Sequence, residues 1–503
     1  MATIVVIATA LGCSDRDDSI TQASGELVEE DFIWKGLNLF YFWQDIVPDL
    51  ADDRFTTNQE YTEFLRSWNS PEEQFYNLCY QHEVIVGSSA AEDRFSFITD
   101  DYNELISLST GEFRTNGVEF GLIRFQDNND VFGYVRYILP NSDASTKNIQ
   151  RGDFFLGVNG TQITVDNFSS LLFGSNDSYT LNMASIANAS GFTSSGVLSS
   201  ALELNNVDVA LTKAAYTENP VFITKTIETG GKRIGYLMYN GFTSAFNTEL
   251  NNAFATFQNP AITDLVIDLR YNPGGSVNTA TALASMITGG NAGQLFLKER
   301  WNSKIQPQLS EDQISNNFAS QLSNGTDINS LGLSEVYILT TGSSASASEA
   351  LINGLDPYIT VKQIGTRTRG KNEFSITLVD DVGNSLVYNP GRVGNINPNN
   401  SYGMQPLVGR IENAAGFFDY TDGIAPETNL PEDLTDLGIL GDETEPLLAE
   451  AIAQITGTTR RSIKDVPDVR NIYDSKEGIR FWGGMQVDGK NLPPINDLLA
   501  IEE

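Results

Sequence analysis

Two strand–turn–helix units with glycine, serine and alanine in their turns constrain this chain more than anything else in it. Val336 to Leu339 is a short apolar, β-branched run that reads as a buried strand, broken by Gly342 and a Ser/Ala cluster. From Ser348 the pattern becomes helical, with Ala350, Leu351 and Leu355 on one side. Upstream, Leu265 to Leu269 reads as a central strand interrupted by Asp268. Asn272-Pro273-Gly274-Gly275 then forces a turn, and a helix follows from Thr279 to Ile287. With a strand over Arg233 to Tyr239 and a helix over Phe246 to Phe257, strands at 264–269, 335–340 and 359–364 alternate with helices at 277–288 and 348–355. That alternation predicts an α/β domain, with its chemistry at the C-terminal ends of the strands.

The turn residues carry chemistry of their own. A strand, a tight turn and a helix start expose a hydroxyl at a helix N-terminus, where free N–H groups and the positive dipole end favour an oxyanion. Ser346-Ala-Ser-Glu349 equally fits an ordinary capping box, in which the serine only caps. Paired glycines at 274 and 275 let backbone N–H groups face a cleft with no Cβ in the way. Gly365 to Leu378 places Lys371 beside Gly370 between two strand-like runs, though a lone lysine is usually a solvated one. The chain has one histidine, His82, far upstream in an apparently helical region, which disfavours a Ser-His-Asp triad. A lysine held neutral by burial and nearby positive charge also activates a serine, and Arg367 and Arg369 flank Lys371.

These three stretches, in this order, resemble the C-terminal processing peptidases (tail-specific proteases), a Ser-Lys family. The family's Ala-Ser-Ala-Ser-Glu motif falls on Ala345 to Glu349, which implies that Ser346 is the nucleophile. Its Gly-Lys falls on Gly370-Lys371, which implies that Lys371 is the general base, at the family's spacing of 25 residues from the serine. The Asn-Pro-Gly-Gly turn implies an oxyanion donor at Gly274 or Gly275, with the Ala347 N–H as the other. Many members orient the lysine with a glutamine four residues on. Here that position is Ser375, so Ser375 or nearby Glu373 takes the role. By resemblance the catalytic domain, over 220–457, is crotonase-like. Asp422-Gly-Ile-Ala-Pro426 resembles the segment that follows the lysine strand in the family.

The remaining segments divide by pattern. Residues 26–105 read as mostly helical: an apolar face from Trp34 to Val47 ends at Pro48, a second helix covers Asn58 to Trp68, and Ser70-Pro71-Glu72-Glu73 opens a third. Glu92-Asp-Arg-Phe-Ser96 resembles a short acidic-aromatic stretch of the lipoprotein members. Over 107–215 the pattern shifts to short strands with Gly and Asn turns, and Val118 to Phe125 and Gly133 to Ile138 alternate in period two. Arg151-Gly-Asp153, an apolar run and Val158-Asn-Gly160 resemble the second half of a PDZ domain. Phe120, Gly121 and Leu122 are then the candidate loop that captures a peptide carboxylate. A small structural β-domain is the alternative. Residues 174–205 read as a Ser/Asn-rich insertion and 290–332 as polar and irregular cover for the cleft. Strands at 374–379 and 384–388 suggest a hairpin, and 458–503 reads as a polar extension with no assigned role.

Composition enters as exclusion. The net charge of −34 repels phosphates, so nucleic acid is not an expected partner. One histidine and two cysteines, Cys13 and Cys79, support neither a metal site nor a disulfide framework, and no cofactor is expected. Ile4 to Leu11 followed by Gly12-Cys13 and a polar tether to residue 25 looks like a bacterial lipoprotein signal. It implies lipidation at Cys13, an envelope location, and membrane contact only through that anchor. No lysine or arginine precedes the apolar run, and Ala10 stands where a lipobox has leucine. The sequence therefore predicts a multidomain α+β and α/β serine endopeptidase, with N-terminal helical, PDZ-like and crotonase-like units, acting on protein or peptide substrates. The alternative is an inactive peptide-binding scaffold.

Overall fold

A computed structural model describes residues 26–88, 90–381, 383–458, 471–478, 485–487 and 492. At its centre six strands lie in the order Val221–Thr229, Lys232–Tyr239, Asp264–Asp268, Glu335–Thr340, Thr360–Gly365 and Thr428–Asn429. The first pair is an antiparallel hairpin and every later pair is parallel. Parallel strands are covered on both faces. Leu265 and Ile267 join the helices Asn247–Gln258, Val277–Thr288 and Ala347–Leu355 on one side. Val266 joins Pro446–Thr456 on the other. Each of these helices starts and stops within about a residue or two of the periodicity, because small and aliphatic residues fill its inner face.

The N-terminal helices are Val28–Phe40, Asn58–Leu65, Pro71–Leu78 and the short Glu83–Val86. Ser70 caps the third, accepting from the Glu73 N–H at 3.2 Å. The first helix ends before the expected Pro48 for a tertiary reason. Tyr41 turns extended so that its hydroxyl reaches Asp93 at 2.8 Å, and the Phe42 N–H bonds the Leu407 carbonyl at 2.8 Å. The Asn302 amide caps the freed carbonyls of Leu39 and Tyr41.

A second, β-rich unit orders its strands Leu202–Thr212, Ser178–Ile186, Phe154–Val158, Val131–Ile138, Val118–Arg124 and Tyr473–Asp474. The segment read as an insertion is therefore mostly sheet. Tyr179, Leu181 and Met183 alternate into the core while polar Thr180 and Asn182 between them lie half-buried on the other face, which masks the signal. Val118–Arg124 is buried on both faces: Phe120 and Leu122 join one cluster and Ile123 another.

Two further expectations are corrected. Within 290–332, Leu295–Trp301 is a strand with buried Phe296, Leu297 and Trp301, paired to Leu407–Asn413. It is a wall of the catalytic unit rather than cleft cover. The expected hairpin forms only at its turn end, where the Val379 N–H bonds the Leu386 carbonyl and the Tyr388 N–H the Thr377 carbonyl, both at 2.9 Å; its first strand is divided, Glu373–Ser375 pairing with Leu407–Asn413 and Leu378–Val379 also with Gly403–Gln405, which carries Phe97–Thr99. Cys13 lies outside the described residues. Among those described, no helix is long and apolar enough to cross a membrane.

Candidate active site

The Ser346 loop leaves the C-terminal end of Glu335–Thr340 and is welded to the preceding strand's turn. The Ser344 hydroxyl donates to the Leu269 carbonyl at 2.8 Å, and the Ala345 N–H and Ser348 hydroxyl both reach the Asn272 carbonyl, at 3.1 and 3.0 Å. Ser346 itself takes φ 62°, a region that costs a non-glycine residue about 1–3 kcal/mol and persists only where surroundings enforce it. Its side chain is fully buried, yet Oγ has no hydrogen-bond partner among the described residues. Ser346 still stands in a capping box with Glu349, but its oxygen makes no full hydrogen bond to the Glu349 N–H.

Lys371 lies just before the strand Glu373–Ser375, which its loop joins to Thr360–Gly365. The amine is 5% exposed and sits 4.5 Å from the centroid of the Phe95 ring. Burial pushes its pKa down to about 8; Arg369 and Arg94 add to that shift, while Glu373 and Asp93 oppose it. Arg94 comes from the N-terminal unit and donates to the Gly370 carbonyl at 2.5 Å. Of the two arginines expected to depress the lysine, Arg369 does so, whereas Arg367 instead donates to the Gly423 carbonyl. Ser375 is a correction: its hydroxyl donates to the Met485 carbonyl at 3.4 Å rather than to the lysine. Glu373 is the carboxylate whose charge the amine feels most, and burial raises its own pKa.

One side chain joins the two loops. Glu349 Oε2 accepts the N–H of Ser346 at 2.7 Å and of Lys371 at 2.8 Å. Its Oε1 accepts the Gly370 N–H at 2.6 Å and the Thr368 hydroxyl at 2.5 Å. Burial raises the Glu349 pKa and these four donors oppose it. Since all four neighbours donate, the ionised carboxylate is the form this geometry accepts. The capping-box spacing is thus real, but its glutamate holds two loops together.

The glycine turn meets the serine directly. A Cβ on Gly274 would stand 2.6 Å from the Ser346 Cβ and 2.9 Å from the Ala347 nitrogen, so only glycine allows this approach. The Gly274 N–H is committed to Asn272 Oδ1 at 2.9 Å, which removes it as an oxyanion donor in this state. Among the described residues, no acceptor takes the N–H of Gly275 or of Ala347. Beneath the turn, Arg270 is wholly buried between Asp268 and Glu445. Arg151 of the β-rich unit reaches Glu432 at 2.9 Å and the Tyr271 hydroxyl at 2.7 Å. Burial works against ionisation of Glu432, but Arg151, Arg270 and Tyr271 outweigh it and hold its pKa at about 2.

His82 is structural: Nδ1 accepts the Val84 N–H and Nε2 bonds the Ser96 carbonyl. Among the described residues, no group of His, Cys, Asp and Glu is arranged to hold a metal. Phe120, Gly121 and Leu122 lie on a strand edge already paired with Tyr473–Asp474. Sequence reasoning missed three contributors: Arg94 and Phe95, Glu349 as a clamp, and the C-terminal segment. Only the acidic-aromatic stretch at 92–96 hinted at the first.

The Ser346 loop, buried lysine and glycine turn meet at the strand ends of an α/β sheet, and the proteins to which the chain is similar are serine peptidases. The Peptidase family S41 model matches residues 233–390 and the Peptidase S41 N-terminal domain model matches residues 29–97, so the chain is similar to the C-terminal processing peptidases over these stretches. A protein of Staphylococcus epidermidis described as a CtpA-like serine protease is 28% identical over 156 residues, 31% of this chain and 28% of that one. A carboxyl-terminal-processing protease of Picosynechococcus is 23% identical over 248 residues, 49% of this chain and 51% of its own length. The chain thus spans about half or less of the length of these curated relatives. A solved Bacteroides fragilis structure described as an S41 protease has a TM-score of 0.60 at 25% identity, covering 85% of this chain and 97% of that one.

Proposed function

We propose that the chain is a serine endopeptidase in which Ser346 is the nucleophile and Lys371 the general base. Ser346 Oγ attacks the substrate carbonyl as its proton passes to the neutral Lys371 amine. The N–H groups of Gly275 and Ala347 receive the oxyanion, each such donor being worth about 10²–10³ in rate. Collapse breaks the peptide bond, Lys371 returns the proton to the leaving amine, and a water activated by the same amine releases the acyl group. The observation that carries this reading is the pair itself: a strained, buried, unpartnered hydroxyl and a buried amine with depressed pKa, hung from one carboxylate.

The β-rich unit acts in this scheme as a PDZ-like domain that receives a substrate's C-terminus along Phe120, Gly121 and Leu122, and the catalytic unit as a crotonase-like one. A lipid at Cys13 would hold the enzyme at the cell envelope; labelled palmitate that fails to follow the protein in cells removes that part. Ser346→Ala and Lys371→Ala are each expected to abolish cleavage of an unfolded protein while thermal unfolding stays unchanged. Wild-type-like turnover in either rejects the assignment. Fluorophosphonate labelling at Ser346 separates a working site from an inactive scaffold.

A further inference from the structure

The C-terminal extension occupies both places that a substrate would need. At the β-rich unit, Tyr473 and Asp474 add an antiparallel strand to Leu122 and Gly121. The Ile472 N–H donates to the Leu122 carbonyl at 2.9 Å, and the Phe120 N–H donates to Ser475 Oγ at 3.0 Å. These are the main-chain groups by which a strand edge captures an extended peptide. The direction fits as well, since the segment runs towards the start of Val118–Arg124. Side chains complete the fit. The Tyr473 ring lies 5.3 and 5.2 Å from the Phe168 and Phe173 rings. Asp474 pairs with buried Arg136 at 3.0 Å and accepts from the Ser343 hydroxyl at 3.0 Å, three residues before the nucleophile.

A second piece of the same extension lies at the cleft. Met485–Gln486 runs parallel to Phe374–Ser375 on the lysine strand. The Gln486 N–H bonds the Gly275 carbonyl at 3.1 Å, and the Val487 N–H bonds the Ser375 carbonyl at 3.2 Å. It therefore bridges the glycine turn and the lysine strand, the two elements between which a scissile peptide must lie. A polar cavity of about 300 Å³ between the units, bounded by Gly342, Thr368 and Arg369, is walled by Asn471, Asp474 and Glu477.

We propose that residues 471–478 and 485–487 are a built-in ligand that keeps the peptidase closed, and that chains carrying an aromatic residue followed by an aspartate near their C-terminus displace it. The inference rests on the peptidase reading for its catalytic consequence, but not for the occupancy. A tethered occupant acts at an effective concentration of about the millimolar range, so a free competitor must bind well to win. Phe168 and Phe173 select the aromatic ring, and Arg136 selects the carboxylate.

The test uses the full chain and a fluorescein-labelled peptide Asn-Ile-Tyr-Asp-Ser with a free C-terminus. A Tyr473→Ala/Ser475→Ala variant weakens the internal occupant without unpairing Arg136. It is expected to bind the peptide at least tenfold more tightly than wild type, and to cleave unfolded casein at least fivefold faster. Both are gains, which a misfolded variant does not produce. On wild type, millimolar peptide is expected to speed amide exchange at Tyr473, Asp474 and Ser475, and a peptide with alanine for tyrosine to leave it unchanged. Equal peptide binding by variant and wild type, or wild-type exchange indifferent to the peptide, overturns the proposal. Absence of turnover in every form, with the binding gain intact, rejects the peptidase reading alone.

Discussion

Replacing Glu349 with glutamine isolates the clamp between the two catalytic loops. The carboxylate accepts four hydrogen bonds, two on each oxygen, and every partner is a donor. An amide is nearly isosteric, but its NH₂ must face one of the two donor pairs. Either orientation removes two acceptors from a site with no water-exposed surface. At about 1–3 kcal/mol for each buried group left unsatisfied, the loss is about 2–6 kcal/mol. It falls on the contact between the loops rather than on the whole molecule. Native-state hydrogen exchange reads it directly: with about 1.4 kcal/mol per tenfold, the Gly370 and Lys371 amides should exchange about 30-fold to 10⁴-fold faster in Glu349→Gln. If Ser346 and Lys371 act together, kcat should fall by at least about 10²-fold while KM changes little, because misplacing reacting groups by even an ångström has that cost. Exchange at these amides within threefold of wild type, in a variant that remains active, would refute the reasoning that this carboxylate holds the dyad in register.

Further expectations follow from the same geometry. With Lys371 at about 8, kcat/KM should rise through pH 8 as the amine loses its proton; Glu373 raises that pKa, so Glu373→Gln should move the limb to lower pH, read from the pH–rate profile. Gly274→Ala forces a Cβ within 2.6 Å of the Ser346 Cβ at φ +111°, so it should lower kcat by at least about 10²-fold and reduce thermal stability, measured by activity and melting. Glu432 has its pKa lowered from 4.5 to about 2, so its contribution is present above about pH 4.5 and lost as pH falls towards 2. That is about 3 kcal/mol by linkage, and Glu432→Gln should flatten this part of the stability–pH curve in acid melts.

Much of the catalytic unit was legible because its signals are local. Each βα unit carries its own apolar strand, its turn residues and a periodic helix, so Val277–Thr288 and Ala347–Leu355 follow from neighbouring residues alone. The same holds for the glycine turn, whose close approach to the serine needs residues without a side chain. The pattern failed where partners are distant. Tyr41 leaves its helix for Asp93, Leu378–Val379 gains Gly403–Gln405 as a second, distant partner beside its local hairpin, and the long hairpin through 178–212 hides beneath Ser and Asn on its solvent face.

The sequence by itself determined which groups are available for chemistry: a serine on a tight turn, a lysine beside glycine, paired glycines, and no histidine near them in the chain. Tertiary structure alone decided their state. The Lys371 amine has its pKa lowered because the Phe95 ring and surrounding core strip its water, and desolvation depends on what packs against a group rather than on its neighbours in sequence. It likewise decided that Glu349 joins two loops and that the chain's own residues 473–474 and 485–486 add strands to the two units, since strand addition uses backbone groups that carry no sequence signature.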